Sequence, residues 1–89
     1  MACWLRGDHR GTANSSVSVT GYTDDDHVDQ VEFTWNGCGL SNTDRQYMQG
    51  RQCTSTQTPT QPGQLRADLK FYRDGNTVVH TEGLDITIT

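Results

Sequence analysis

Long apolar runs are missing from this chain. Val78-Val79 is only a pair, and Ala2–Leu5 is too short for the apolar core of a signal peptide, so no membrane insertion is expected. Clustered positive charge is missing too. The seven Lys and Arg residues are scattered, eleven Asp and Glu outnumber them, and the net charge is -4. A nucleic-acid backbone would need a basic stripe to replace its counterions, so that class of partner is excluded. Helical periodicity is nearly absent; only Thr43–Gln49 offers a helical turn, closed by Gly50. Proline occurs only at Pro59 and Pro62, where it precludes a central strand and marks the 53–63 stretch as an edge or crossing segment. No nucleophile elbow or glycine-rich phosphate cradle stands beside the Ser, His and Asp residues, so the chain reads as non-catalytic.

Cysteine is scarce, at three residues. Cys38 and Cys53 would close a loop of about fifteen residues, a cross-link worth on the order of 3 kcal/mol. Cys3, near the terminus, is then left unpaired or available to another chain. The alternative is three reduced thiols in a cytosolic protein. A Ser/Thr/Asn/Gly-rich sequence with a single lysine favours an extracellular, cell-surface or virion-surface setting.

What is present is alternation. Val17, Val19 and Gly21 share one face of a strand over Ser15–Tyr22. Val31, Phe33 and Trp35 share one face of the next; Leu65, Ala67, Leu69 and Phe71 one face of a long strand; and Leu84, Ile86 and Ile88 one face of the last. Met1–Gly11 can supply a first strand ending at Gly7 or Gly11. With 89 residues and 31% hydrophobic residues there is room for one core. The expected fold is a single all-β domain over 1–89, an immunoglobulin-like antiparallel two-sheet sandwich of about 6–7 strands with Trp35 buried.

The stretch Tyr72–Thr77 is a hairpin turn in one of two registers. A loop Arg73-Asp74-Gly75 sets Asp68 opposite His80, Arg66 opposite Glu82 and Leu69 opposite Val79. A loop Asp74-Gly75-Asn76 sets Asp68 opposite Glu82 and Lys70 opposite His80. Facing like charges are unfavourable, so the first register is expected. Gly83 is expected to bulge or kink the last strand.

Two segments, Ser16–Trp35 (SVSVTGYTDDDHVDQVEFTW) and Pro62–Thr89 (PGQLRADLKFYRDGNTVVHTEGLDITIT), resemble the opening and closing halves of PKD-type and related prokaryotic immunoglobulin-like modules. After Trp35 the chain reads Asn36-Gly37-Cys38-Gly39, where PKD-type modules carry Phe-Gly-Asp-Gly. The resemblance implies a β-sandwich acting as a spacer, adhesion unit or carbohydrate-binding accessory, in some cases with calcium.

Candidate sites follow. Asp24, Asp26 and Asp29 could converge on calcium if their loop curls, with Asp44 or Asp74 adding a ligand, although no EF-hand spacing is present. The alternative is a solvated turn whose aspartates accept local N–H bonds. His9, His27 and His80 do not fall at a zinc spacing. Arg6-Gly7-Asp8 is an integrin-type tripeptide that would need a loop tip, and Asn14-Ser15-Ser16 is a formal glycosylation acceptor. The functional expectation is an extracellular structural or binding module whose partner is protein, through self-assembly or a larger surface assembly, with no cofactor required beyond possible calcium. Exposed strand edges offer one way to pair. One alternative is a small secreted inhibitor or effector acting through the disulfide-held loop 38–53. A second is a carbohydrate-binding module with Trp4, Trp35 and Tyr47 exposed and coplanar.

Overall fold

In the computed structural model, which describes residues 2–89, the chain forms eight strands and no helix. They are β1 (Cys3–Gly7), β2 (Arg10–Gly11), β3 (Val17–Thr23), β4 (Val28–Gly37), β5 (Leu40–Tyr47), β6 (Gln52–Gln57), β7 (Gly63–Arg73) and β8 (Thr77–Ile88). One sheet has the order β1-β3-β6 and the other β2-β8-β7-β4-β5. The two stack as a sandwich, as alternation in four segments requires. The expected first strand divides at Asp8-His9: β1 pairs antiparallel with β3, then the chain changes sheets and β2 runs parallel to β8. That crossing raises the strand number above expectation and makes one pairing parallel.

The inward residues are those the alternation selects. Val19, Val31, Phe33, Trp35, Leu65, Ala67, Leu69, Phe71 and Ile86 are 0% exposed. Each large apolar side chain buried this way contributes about 1.5–3 kcal/mol, which lets a polar chain hold a single core. Gly21 faces inward on β3, and a Cβ there would sit 3.2 Å from the Phe71 ring. Its missing side chain is the space that ring occupies.

Three expectations are corrected. Thr43–Gln49 is no helical turn; its residues belong to β5 and to the turn after it, and β5 pairs with β4 in unbroken register from Gln30↔Tyr47 to Gly37↔Leu40. Few of its residues are apolar, so its strand state comes from sheet hydrogen bonding. The β7–β8 hairpin takes the loop that charge argued against: Arg73 pairs with Thr77 and Tyr72 with Val78, while Asp74 and Gly75 both have positive φ. The like-charge clash is nevertheless avoided. A bulge at Val79 shifts the register by one, so Phe71 faces His80, Lys70 faces Thr81 and Asp68 faces Gly83. The irregularity expected at Gly83 therefore lies four residues earlier, and β8 runs on through Gly83.

The β4–β5 connection is a two-residue hairpin, Cys38-Gly39, with φ of 52° and 85°. Positive φ at both central residues is what a type I′ turn demands. β6 is an edge strand that stops at Gln57, two residues before Pro59, and the following loop carries the chain to the other sheet.

Candidate binding surface on the five-stranded sheet

The outward side chains of the larger sheet lie in rows across its strands. One row runs Tyr47 on β5, Gln30 on β4, Tyr72 on β7 and Val78 on β8, each directly opposite the next. At roughly 4.8 Å per strand it spans about 14 Å. Tyr47 is 68% exposed and Val78 46%, two of the three exposed large hydrophobics among the described residues. The adjoining row is Arg45, Glu32, Lys70 and Thr81.

Arg45 joins the two rows. Its guanidinium carbon lies 3.9 Å from the centre of the Tyr72 ring. Its Nε donates to Gln30 Oε1 at 2.6 Å, another nitrogen donates to the Gly75 carbonyl, and Glu32 is 3.7 Å away. A cation over an aromatic face gains about 0.5–1 kcal/mol at an exposed site. The larger consequence is that a flexible arginine is fixed flat on the sheet. Tyr and Arg in a rigid, partly apolar patch are the residue types that dominate protein-binding energetics.

Beneath β5 lies a buried polar chain. Trp35 Nε1 donates to Ser55 Oγ at 2.9 Å, Ser55 Oγ donates to Asp44 Oδ2 at 2.6 Å, and the Gln46 side-chain amide reaches both Asp44 oxygens. Trp35 is fully buried, so its N–H needs this partner. The chain links β4 and β5 to β6 across the sandwich and keeps β5 in place as a strand.

No protein-family model matches this chain, and no curated protein matches it.

The expected calcium aspartates are each occupied elsewhere. Asp24 Oδ1 accepts the Ala2 N–H at 2.7 Å, Asp26 pairs with Arg51 at 2.8 Å, and Asp29 Oδ1 accepts the Gly75 N–H at 3.0 Å. Asp44 belongs to the tryptophan network on another element. Among the described residues no group of three His, Cys, Asp or Glu side chains converges as a metal site. Asp25, not singled out by sequence, holds the turn: its carboxylate accepts the His27 N–H at 2.8 Å and reaches Arg73 at 3.4 Å. The His27 bond, with Arg73 behind it, keeps the Asp25 carboxyl below its ordinary range. This is the local Asx geometry of a solvated turn.

The Arg6-Gly7-Asp8 tripeptide lies on and just beyond β1, with Asp8 Oδ2 accepting the Ser18 N–H at 3.0 Å, so it is no loop tip. Asn14 is exposed, with φ of 71°. The Cys38–Cys53 disulfide is also corrected: all three cysteines are free, buried thiols. Cys38 accepts backbone bonds from Thr60 and Gln61, beyond the end of β6, while Cys53 lies at its start. That places the two about 15–20 Å apart at roughly 3.3 Å per residue, far outside disulfide reach. Cys3 and Cys53 flank β3 on opposite sides, about 10 Å apart, and cannot bond either. Burial, with Asp44 adding to it, pushes the Cys53 thiol up to about 11.

Without its cross-link the stretch 38–53 is a regular hairpin strand and a turn. The three-ring carbohydrate platform does not form: Trp35 is in the core, and Trp4 packs against Tyr22 on the outer face of the smaller sheet, away from Tyr47. Tyr47 is among the aromatics the sequence offers, but nothing local to it marks Tyr72, Val78 and Arg45 as its companions. The outward alternation of Arg66, Asp68, Lys70 and Tyr72 was the available signal; the hairpin register was needed to complete the row.

Proposed function

We propose that the protein is a non-catalytic, immunoglobulin-like structural or binding module of an extracellular assembly, and that it holds its partner by protein contact through the outer face of the five-stranded sheet. The observation that carries this is the Tyr47–Gln30–Tyr72–Val78 row with Arg45 locked over Tyr72. An exposed tyrosine and an exposed valine beside a preorganised arginine cost little conformational entropy on binding. The resemblance to PKD-type modules supports the same kind of role. The extracellular setting rests on composition, a Ser/Thr/Asn-rich chain with one lysine, and on no disulfide. The reading uses no metal.

The test is photocross-linking in cells or particles that produce the protein. A benzophenone amino acid replaces Tyr47 in one variant and Thr20, on the outer face of the smaller sheet, in another. Adducts from position 47 that vanish when Val78→Asp is added support the reading. Adducts from position 20 alone, or from neither position, overturn it.

A further inference from the structure

The sandwich has four strand edges, and they are unequally protected. β1 is five residues long, and β6 is six and runs into a proline segment. β8 carries the Val79 bulge and Gly83, and β2 covers its end at Thr87 and Ile88. Short length, bulges, prolines and covering segments are the devices by which edge strands avoid unwanted pairing. β5 has none of these four; its one inward charge, Asp44, is already bonded to Ser55 and Gln46 inside the sandwich. It pairs with β4 over all of Leu40–Tyr47 without a register shift, contains no Pro, Gly or Lys, and among the described residues no other strand lies on its far side.

We propose that this edge pairs with β5 of a second copy of the chain, antiparallel about a two-fold axis at Thr43, joining two five-stranded sheets into one. The proposal goes beyond the outer-face reading: it concerns the edge of the sheet, not its face. Directly opposed residues of an antiparallel pair share a face, so the axis must pass through a residue and its own copy. An axis at Asp44 opposes two carboxylates, and one at Arg45 opposes two guanidinium groups; both are unfavourable. An axis at Asn42 shortens the paired segment to residues 40–44, against 40–46 for an axis at Thr43. At Thr43 no like charges meet. Thr43 faces Thr43, Asn42 faces Asp44, Ser41 faces Arg45 and Leu40 faces Gln46. Tyr47, 68% exposed in the single chain, then stands opposite Gly39 of the second copy. Gly39 is a turn residue just before β5, so the paired ladder itself ends at Leu40 facing Gln46. Self-complementarity of one patch is what a two-fold dimer requires.

A strand-edge contact is smaller than the roughly 800 Å² per partner of stable complexes, so a dimer dissociating at about tens to hundreds of micromolar is expected. Sedimentation equilibrium of the reduced wild-type chain should show that concentration dependence. Thr43→Lys should sediment as a monomer with an unchanged circular dichroism spectrum and melting temperature, because Thr43 is exposed. Thr43→Cys should give a disulfide dimer under glutathione disulfide, since opposed α-carbons lie about 4.5–5.5 Å apart. Ser41→Cys should not, because its copies would be about 13 Å apart. A wild type that stays monomeric at about 1 mM, above the range expected of so small an interface, overturns the proposal. So does a dimer that survives Thr43→Lys, or cross-linking of Ser41→Cys as fast as Thr43→Cys. A monomeric chain that still forms position-47 adducts with another protein sinks the β5 pairing and leaves the binding-module reading standing.

Discussion

Removing one hydroxyl group, by Ser55→Ala, tests whether the buried polar chain holds the sandwich together. Ser55 is 1% exposed and Trp35 is 0% exposed, so no water can replace the lost partner without the core opening. The Trp35 N–H loses its 2.9 Å acceptor, and an orphaned buried donor costs about 1–3 kcal/mol. Asp44 loses a 2.6 Å bond but keeps the Gln46 amide, which limits the second loss to about 1 kcal/mol. The expected total is about 2–4 kcal/mol. A domain of this length has about 4–13 kcal/mol to lose, so the melting temperature should fall by about 10–25 °C. Urea titration followed by circular dichroism reads the change, a signal that does not depend on Trp35. A double-mutant cycle isolates the bond: in the Trp35→Phe background, which has no N–H to orphan, Ser55→Ala should cost about 1–2 kcal/mol less. A loss under about 0.5 kcal/mol, or equal losses in both backgrounds, refutes the account.

Three further outcomes follow from the geometry. Gly37 has φ of +111° and its missing Cβ would strike the Gln64 carbonyl, so Gly37→Ala should cost upward of about 2 kcal/mol; Gly50→Ala, at φ +71° with nothing nearby, should cost about 1 kcal/mol, and chemical denaturation of both separates strain from collision. The Cys53 thiol titrates near 11 when folded and near 9 when unfolded, so above pH 9 the unfolded chain has fewer protons than the native one. Stability should therefore fall as pH rises from about 9 to 11, by on the order of 2 kcal/mol, and the fall should be absent in Cys53→Ala. Calcium or EDTA should move the melting temperature by less than about 1 °C, because Asp24, Asp26 and Asp29 already serve separate donors; a calcium-induced rise above about 5 °C in a thermal shift assay would refute that assignment.

The core was legible because alternation is a local property. Val31, Phe33 and Trp35 announce their face within five residues, and so do Leu65 through Phe71. β5 was not legible because it carries almost no apolar signal: its state depends on β4 alongside and on Asp44 reaching Ser55 from the opposite sheet. The disulfide failed for a related reason. Sequence spacing gives the length of a loop but not where its ends lie, and Cys38 and Cys53 sit at opposite ends of the sandwich. The outer row was hidden by register. With the loop that charge favoured, Val78 would face Lys70; with the loop observed, it joins Tyr72.

That register also explains why the unguarded edge is β5. Without the Val79 bulge, Asp68 would oppose Glu82 on the outer face. Inserting one residue turns Glu82 to the inner side, opposite Leu69, and leaves Gly83 beside Asp68. Arg66 can then lie over Gly83 and bond both Asp68 at 3.0 Å and Asp85 at 3.2 Å. The shift has a cost: Glu82 and His80 are brought to the margin of the core, 3.7 Å apart, with His80 Nε2 and Glu82 Oε2 shielded and without a hydrogen-bond partner. It also protects, because a bulged strand presents an irregular edge to any incoming strand. Charge repulsion within the β7–β8 hairpin is thus resolved by a device that leaves β8 an irregular edge beyond its short pairing with β2. β5, whose hairpin closes through Cys38-Gly39 without a bulge, has no such repulsion to resolve and keeps a straight edge. The asymmetry between the two sides of the five-stranded sheet therefore follows from where the charges fall along β7 and β8.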